Sequence, residues 1–393
     1  MDVSGVGRNP IIGSASLELS PSAELIANNV DLLTQILLCF PAKSLIRSKS
    51  VSKRWLSLIS DSQFAAKHSR RNPRPSISGL FLCLRLRDCG TEHTKSISLQ
   101  GQANRPTLAF LDGVGVAQLR PTITHSCNGL LLCKYHYSVP SSGHYLVCNP
   151  TTKTHTLIPE YPPDFSPGFV PRSSGGFLAF DPSKSPGYKV VFLCEYFSKV
   201  KKFYIHVYCS ERASWKRFRV PDRRQDELLC RGEVFCGGVI YWLTDEGVVF
   251  GFDIDSEKMI ENTEIPCVAQ IIYFGECDGR LILIQTHIWS TVKLKILEMD
   301  KDNNSRWIVK FQVDLEPLRS MGSEFCSYHV LCVVKGDKKE KDFELVLDWG
   351  GTIISYNLRC QIWNLLTDMA PGESVSHSLA YAAYPYIESL SPL

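Results

Sequence analysis

Two hydrophobic periods divide this chain, and the change falls near Ile77. Between Asp31 and Phe64 apolar residues recur at helical spacing. Leu32, Leu33, Ile36 and Leu37 predict one amphipathic helix. Asn29 is placed to cap it, and Asp31 lies in its first turn, where a carboxylate suits the positive end of the helix dipole. Phe40-Pro41 interrupts, because proline turns the preceding residue away from α conformation. Lys43 to Arg47 allow a turn or two around Leu45. Val51, Trp55, Leu58 and Ile59 then recur at i, i+4, i+7 and i+8, predicting a second amphipathic helix closed by Asp61 and Ser62. Phe64 to Arg71 extends the helical part.

From Ile77 onward strand signals come about every ten residues, separated by Gly, Pro, Asn and Asp turns. About two dozen short strands are expected, too many for one sandwich. A faint repeat runs through them. Asn128-Gly129, Gly237-Gly238, Asp278-Gly279 and Gly350-Gly351 each precede an apolar strand, and such pairs suit tight hairpins whose central residues both take positive φ. Gly238 to Gly279 spans roughly the 40 residues of a propeller blade, and four strands to a blade gives about six blades. The fold class is therefore α+β and multidomain: a small N-terminal unit of three helices, then an all-β, propeller-like domain. The expected boundaries are a disordered leader over 1–24, rich in Ser, Gly and Pro; the helical unit over 25–71; a stiff basic joint over 72–78; and the β domain over 79–393.

The helical unit is about forty residues long, near the size below which a domain needs a staple or a partner. Each apolar side chain it leaves in water forgoes roughly 1.5–3 kcal/mol. Two accounts of its surplus apolar surface stand open: a face meant for another protein, or a lid packed on the β domain. Between Asn28 and His68 six Lys and Arg face two Asp, a net +4, which steers an acidic partner surface toward it. No groove-reading motif accompanies these bases, so nucleic acid is not the expected partner.

The spacing Leu32-Leu33-Thr34-Gln35-Ile36-Leu37, Phe40-Pro41, Lys43-Ser44-Leu45, Arg47 and Val51-Ser52-Lys53-Arg54-Trp55 resembles an F-box, the motif that docks a protein on the adaptor of a cullin–RING ubiquitin ligase. The sequence departs from that pattern where Asn28-Asn29 replaces the leading Leu-Pro and Gln35 replaces a glutamate. Ser126-Cys127-Asn128-Gly129-Leu130-Leu131, Asn149-Pro150-Thr151-Thr152, Gly176-Phe177-Leu178-Ala179-Phe180-Asp181-Pro182, Tyr188-Lys189-Val190-Val191, Tyr208-Cys209-Ser210 and the late Tyr384-Pro385-Tyr386 are similar to the F-box-associated domain of plant F-box proteins. The resemblance implies a receptor subunit without catalysis of its own. Its adaptor face would draw on Leu32, Ile36, Leu37, Pro41, Leu45, Val51 and Trp55, with Trp55 equally suited to the motif's own core. Its partners would be the adaptor, through it the cullin and RING subunits, and a protein substrate held by the β domain. The rivals are a ligase-free scaffold with a decayed F-box and a propeller enzyme acting on a sugar.

Composition narrows the remaining chemistry. The chain carries 15 cysteines but no Cys-x-x-Cys, and most lie in apolar runs, where they act as small hydrophobes rather than zinc ligands or disulfides. His136 and His144 flank a hairpin turn near Cys133 and Cys148, yet solvated turn histidines account for them without a metal. Asp245 and Glu246 fall on a turn before Gly247. No nucleophile elbow or dinucleotide turn occurs, and no cofactor is implied. No run approaches eighteen apolar residues and no secretory signal opens the chain, so the expected setting is the nucleus or cytoplasm, away from membranes. Pro159 to Ser174 reads as a long loop whose Tyr161, Phe165 and Phe169 could anchor a substrate, against the plainer account of a neutral insertion.

Overall fold

The computed structural model describes residues 26, 29–71, 76–86, 92–99, 105–114, 121–135, 144–160, 169–171, 176–196, 202–221, 230–265, 270–287, 290–300, 306–321, 327–336, 343–370, 373–375 and 383–393. The leader expected over 1–24 lies outside these. The chain divides into two compact units, residues 1–40 and 41–393.

In the first unit, helix α1 (Val30–Leu37) begins where the sequence predicts. The Asn29 Oδ1 accepts from the backbone N–H of Asp31 at 3.0 Å and of Leu32 at 3.1 Å. The second unit opens with α2 (Ala42–Ser48), α3 (Lys53–Ser60) and α4 (Ser62–Arg71). Residues 29–71 thus hold four helices rather than three, and Asp61 is the reason. Its Oδ1 accepts from the N–H of Gln63 at 2.7 Å and of Phe64 at 3.0 Å, so one residue ends α3 and caps α4. Helix α3 also starts later than the Val51 spacing suggests. The Ser52 Oγ accepts from the Trp55 N–H at 3.1 Å and sets the start at Lys53, leaving Val51 outside.

The β-rich part opens with β1 (Gly79–Leu86) and β2 (Glu92–Ser98). Blade I is β3 (Thr122–Cys127), β4 (Leu130–Tyr135), β5 (His144–Asn149) and β6 (Thr154–Leu157). Blade II is β7 (Phe169–Pro171), β8 (Phe177–Ala179), β9 (Lys189–Tyr196), β10 (Lys202–Cys209) and β11 (Ser214–Arg219). Blade III is β12 (Cys230–Cys236), β13 (Val239–Thr244), β14 (Val248–Asp253) and β15 (Lys258–Glu264). Blade IV is β16 (Ile271–Cys277), β17 (Arg280–His287), β18 (Ser290–Met299) and β19 (Trp307–Asp314). Blade V is β20 (Tyr328–Lys335), β21 (Phe343–Trp349), β22 (Thr352–Asn357) and β23 (Trp363–Asp368). Finally β24 (Glu373–Val375) and β25 (Ala383–Tyr386) both pair antiparallel with β1, so blade VI joins strands from the two ends of the domain. The described residues form six sheets, a six-bladed propeller as expected.

Among the described residues the propeller core is six wedges between neighbouring blades rather than one cluster. Phe180 and Phe192 meet Leu130 and Val147 between blades I and II, and Phe177 and Ile205 meet Trp242 and Phe252 between II and III. Leu243 meets Leu283 between III and IV, and Ile284 meets Leu345 between IV and V. Leu80, Leu82 and Leu84 face Val346 and Ile353 of blade V, while Phe81 and Cys83 face Leu131 and Cys133 of blade I. Each blade therefore buries both faces of its inner strands. That is why strands such as Val239–Thr244 are buried at every position instead of alternating. It is also why Cys83, Cys133, Cys148, Cys194 and Cys332 are buried as free thiols.

All four Gly-containing pairs make the turns their chemistry predicts, with φ of +46° and +90° at Asn128-Gly129 and +60° and +95° at Gly350-Gly351. They are not one repeat, however. Three join the first and second strands of blades I, III and IV, whereas Gly350-Gly351 joins the second and third strands of blade V. A type I′ turn is satisfied locally and carries no record of its place in a blade. The truer repeat is at the third corner, where Asn149, Asp253 and Asn357 each accept backbone N–H bonds from two residues further on.

The C-terminal residues are tied into blade I. The Asn149 Nδ2 donates to the carbonyls of Ser389 at 3.0 Å and Ser391 at 2.9 Å, and the Thr151 and Tyr386 hydroxyls pair at 3.0 Å. Ser78 belongs to the propeller, since its N–H donates to the Tyr386 carbonyl at 2.8 Å. Residues 72–75 of the joint expected over 72–78 lie outside the described residues.

Candidate docking surface and central channel

Helix α1 carries two apolar stripes. At 100° per residue, Leu33 and Leu37 fall on one line and Leu32 and Ile36 on another. The first line is buried, with Leu37 wholly inaccessible. The second faces water, Leu32 at 49% and Ile36 at 40% of full exposure, and Val30 is exposed as well. A helix of eight residues thus buries one i, i+4 pair and leaves another open. An apolar face left in water on so short a helix is the feature a partner would cover.

The second unit adds surface of its own. Pro41 is exposed, Val51 is 63% exposed and Leu56 is exposed, while Trp55 is half-buried. Leu45 is wholly buried. Of the residues expected on an adaptor face, Leu32, Ile36, Pro41 and Val51 are free to touch one. Leu37 and Leu45 lie inside and serve the fold. Sequence reasoning could not separate the stripes of α1, because both are leucine or isoleucine at the same spacing. It passed over Val30 and Leu56, which only burial reveals. The helices also meet the propeller within their unit. The Lys43 N–H donates to the Glu388 carboxylate at 3.1 Å, and the Arg70 Nε donates to the Ser183 carbonyl at 3.4 Å. The lid account is therefore right in part for α2 and α4, and it leaves Val51 and Leu56 uncovered.

At the propeller axis lies a cavity of about 670 Å³, lined by the first strands of blades I, III, IV and V and by the ends of blade VI. Its mouth carries the turns Gly237-Gly238 and Asp278-Gly279. His125, Glu233 and Tyr273 line it as well. The His125 Nδ1 accepts from the Leu178 N–H at 3.2 Å, and burial holds the imidazole down to about 4. Glu233 enters from β12, and burial pushes its carboxyl up to about 8, so it is protonated at neutral pH. Tyr273 enters from β16, and its ring lies over Gly275, where any side chain would collide with it. At the mouth, the Lys335 ammonium pairs with the Asp278 carboxylate at 2.9 Å.

Tyr161 and Phe165 lie outside the described residues; Phe169 starts β7, its backbone opposite Tyr196, and its side chain lies outside them too. His136 is likewise outside, and His144 pairs with Glu160 at 3.2 Å. Among the described residues no three His, Cys, Asp or Glu side chains cluster as metal ligands would. Asp245 and Glu246 occupy the expected turn, closed by the Gly247 N–H on the Thr244 carbonyl at 3.1 Å.

Residues 29–67 match the F-box domain, and residues 85–348 match the F-box associated beta propeller domain. The chain is similar to F-box protein At5g07610 of Arabidopsis thaliana, 34% identical over 330 residues that cover 76% of this chain and 73% of the relative. It is also similar to F-box protein At5g49610 of the same plant, 27% identical over 74% of this chain and 80% of the relative. A putative F-box protein, At4g09190, is 27% identical over 72% of this chain and 70% of its own length. With four helices across the first match and most of the six-bladed propeller across the second, this chain belongs to the family of plant F-box proteins that carry an F-box associated beta propeller domain.

Proposed function

We propose that this chain is the substrate-receptor subunit of a cullin–RING ubiquitin ligase, non-catalytic in itself. The observation that carries the reading is the open Leu32–Ile36 stripe of α1, inside the matched F-box. On this reading the stripe, with Pro41 and Val51, takes part in docking on the ligase adaptor, and cullin and RING subunits follow through it. The propeller holds a protein target, with Tyr161, Phe165 and Phe169 as proposed anchors. Tethering then raises the effective concentration of target lysines at the charged enzyme, so the chain needs no catalytic group of its own. Its place of work on this reading is the nucleus or cytoplasm.

A ligase-free scaffold is the second reading, and the Asn29 position favours it specifically. Asn29 caps α1 where the family pattern has proline. Replacing Asn29 by proline would remove that cap at a cost of about 1 kcal/mol, so Asn28→Leu alone is the cleaner restoration. The two readings part on one experiment. Full-length tagged chain expressed in plant cells should co-purify the adaptor and cullin, Leu32→Asp with Ile36→Asp should lose both, and Asn28→Leu should keep or increase them. Wild-type chain that brings down neither would establish the scaffold instead.

A further inference from the structure

We propose that the axial cavity binds a small organic cation, an amine on a compact apolar body, with Glu233 as its counter-ion. The cavity's volume of about 670 Å³ falls within the usual range for small-molecule sites. Glu233 lines that cavity, and its Oε1 is shut off from solvent with no hydrogen-bond partner among the described residues. A buried polar atom left without a partner is rare in folded proteins and asks for one.

The sign of the ligand follows from the groups around it. Asp181, after β8, and Glu276 and Asp278, on β16 and its turn, line the same cavity. Among the described residues that line it, the cations are fewer. Lys335, at the end of β20, is paired with Asp278, and His125 is held neutral by burial. Tyr273 stays a neutral phenol, since burial raises it. The field in the cavity therefore favours a positive charge. Phe235 and Phe274 line it too and suit an apolar body, with ring faces that attract a cation. The protons balance simply. The ammonium enters charged, Glu233 gives its proton to solvent, and an ion pair remains. This inference stands whether or not the adaptor docks.

The test uses the full-length chain with benzylamine as probe and calorimetry at pH 7 in buffers of differing ionisation heat. Close to one proton should be released per benzylamine bound, because Glu233 is protonated at that pH. Affinity should rise about tenfold per pH unit from 6 to 8 and then level off. Glu233→Gln should bind at least tenfold more weakly, with no proton release. Lys335→Gln should bind several-fold more tightly, since it frees Asp278. Benzyl alcohol and benzoate, the neutral and anionic controls, should bind far less than the amine. Absence of benzylamine binding at millimolar concentration, equal binding of benzyl alcohol, or uptake without proton release would each overturn the proposal. Should Glu233→Gln not fold, the proton count and the Lys335→Gln arm decide it.

Discussion

Replacing Glu233 by glutamine should make the propeller more stable, and by an amount that grows with pH. Burial raises the carboxyl from 4.5 to about 8 in the folded chain. A carboxyl with a raised folded pKa keeps its full stability below the unfolded value. It loses stability as pH climbs toward the folded value, because the unfolded chain sheds the proton first. The slope is about 1.4 kcal/mol per pH unit across that window. Between pH 5 and pH 7 the gap between Glu233→Gln and wild type should therefore widen by roughly 2–3 kcal/mol. Glutamine also leaves a buried polar group, but that offset does not change with pH. The assay is urea denaturation followed by tryptophan fluorescence at pH 5, 6, 7 and 8, comparing midpoints at equal slope. Curves that stay parallel across this range, or a gap that narrows, would show that Glu233 is already ionised in the fold and would refute the reasoning.

Two further perturbations have definite signs. His125 and His206 are both held down to about 4 by burial, His206 also by Arg217, so the fold keeps them neutral while the unfolded chain charges them below 6.5. Each should remove about 1.4 kcal/mol per pH unit as pH falls from 6.5 toward 4, so His206→Asn should lower the net acid slope in urea midpoints by that amount, with Glu233 contributing the opposite sign above 4.5. Asn149→Ala should loosen the C-terminal strap by breaking its bonds to Ser389 and Ser391. At about 1 kcal/mol for each bond, exchange of the amide hydrogens in residues 386–393 should speed roughly thirtyfold, and unchanged protection would contradict the strap.

Much of this architecture was legible in the chain because its signals are local. The Asn-Gly, Gly-Gly and Asp-Gly pairs specify a left-handed turn by sterics alone, and the Asn29 cap needs only its own helix. What depends on long-range neighbours was not legible. Nothing near Gly79 says that β1 will pair with β24 and β25, some three hundred residues on. Leu37 and Ile36 are both apolar residues on one short helix, and only packing decides which is buried. Glu233 sits in Cys-Arg-Gly-Glu-Val-Phe-Cys, which reads as an ordinary half-exposed strand; its place on the innermost strand of blade III turns it toward the axis. The adaptor-face residues divided for the same reason. Leu45 has the right motif position and no access to a partner, so aspartate there would test folding rather than docking.

The receptor reading stands or falls on the affinity of the purified full-length chain for the purified ligase adaptor, measured by calorimetry with and without Leu32→Asp plus Ile36→Asp. Both side chains are open to solvent, so the pair can be changed without disturbing the buried Leu33–Leu37 stripe. If the stripe is the contact, the double change should weaken binding at least a hundredfold, about 2.7 kcal/mol, while helix content and the propeller's unfolding midpoint stay as they were. Wild-type affinity in the double variant would contradict the account.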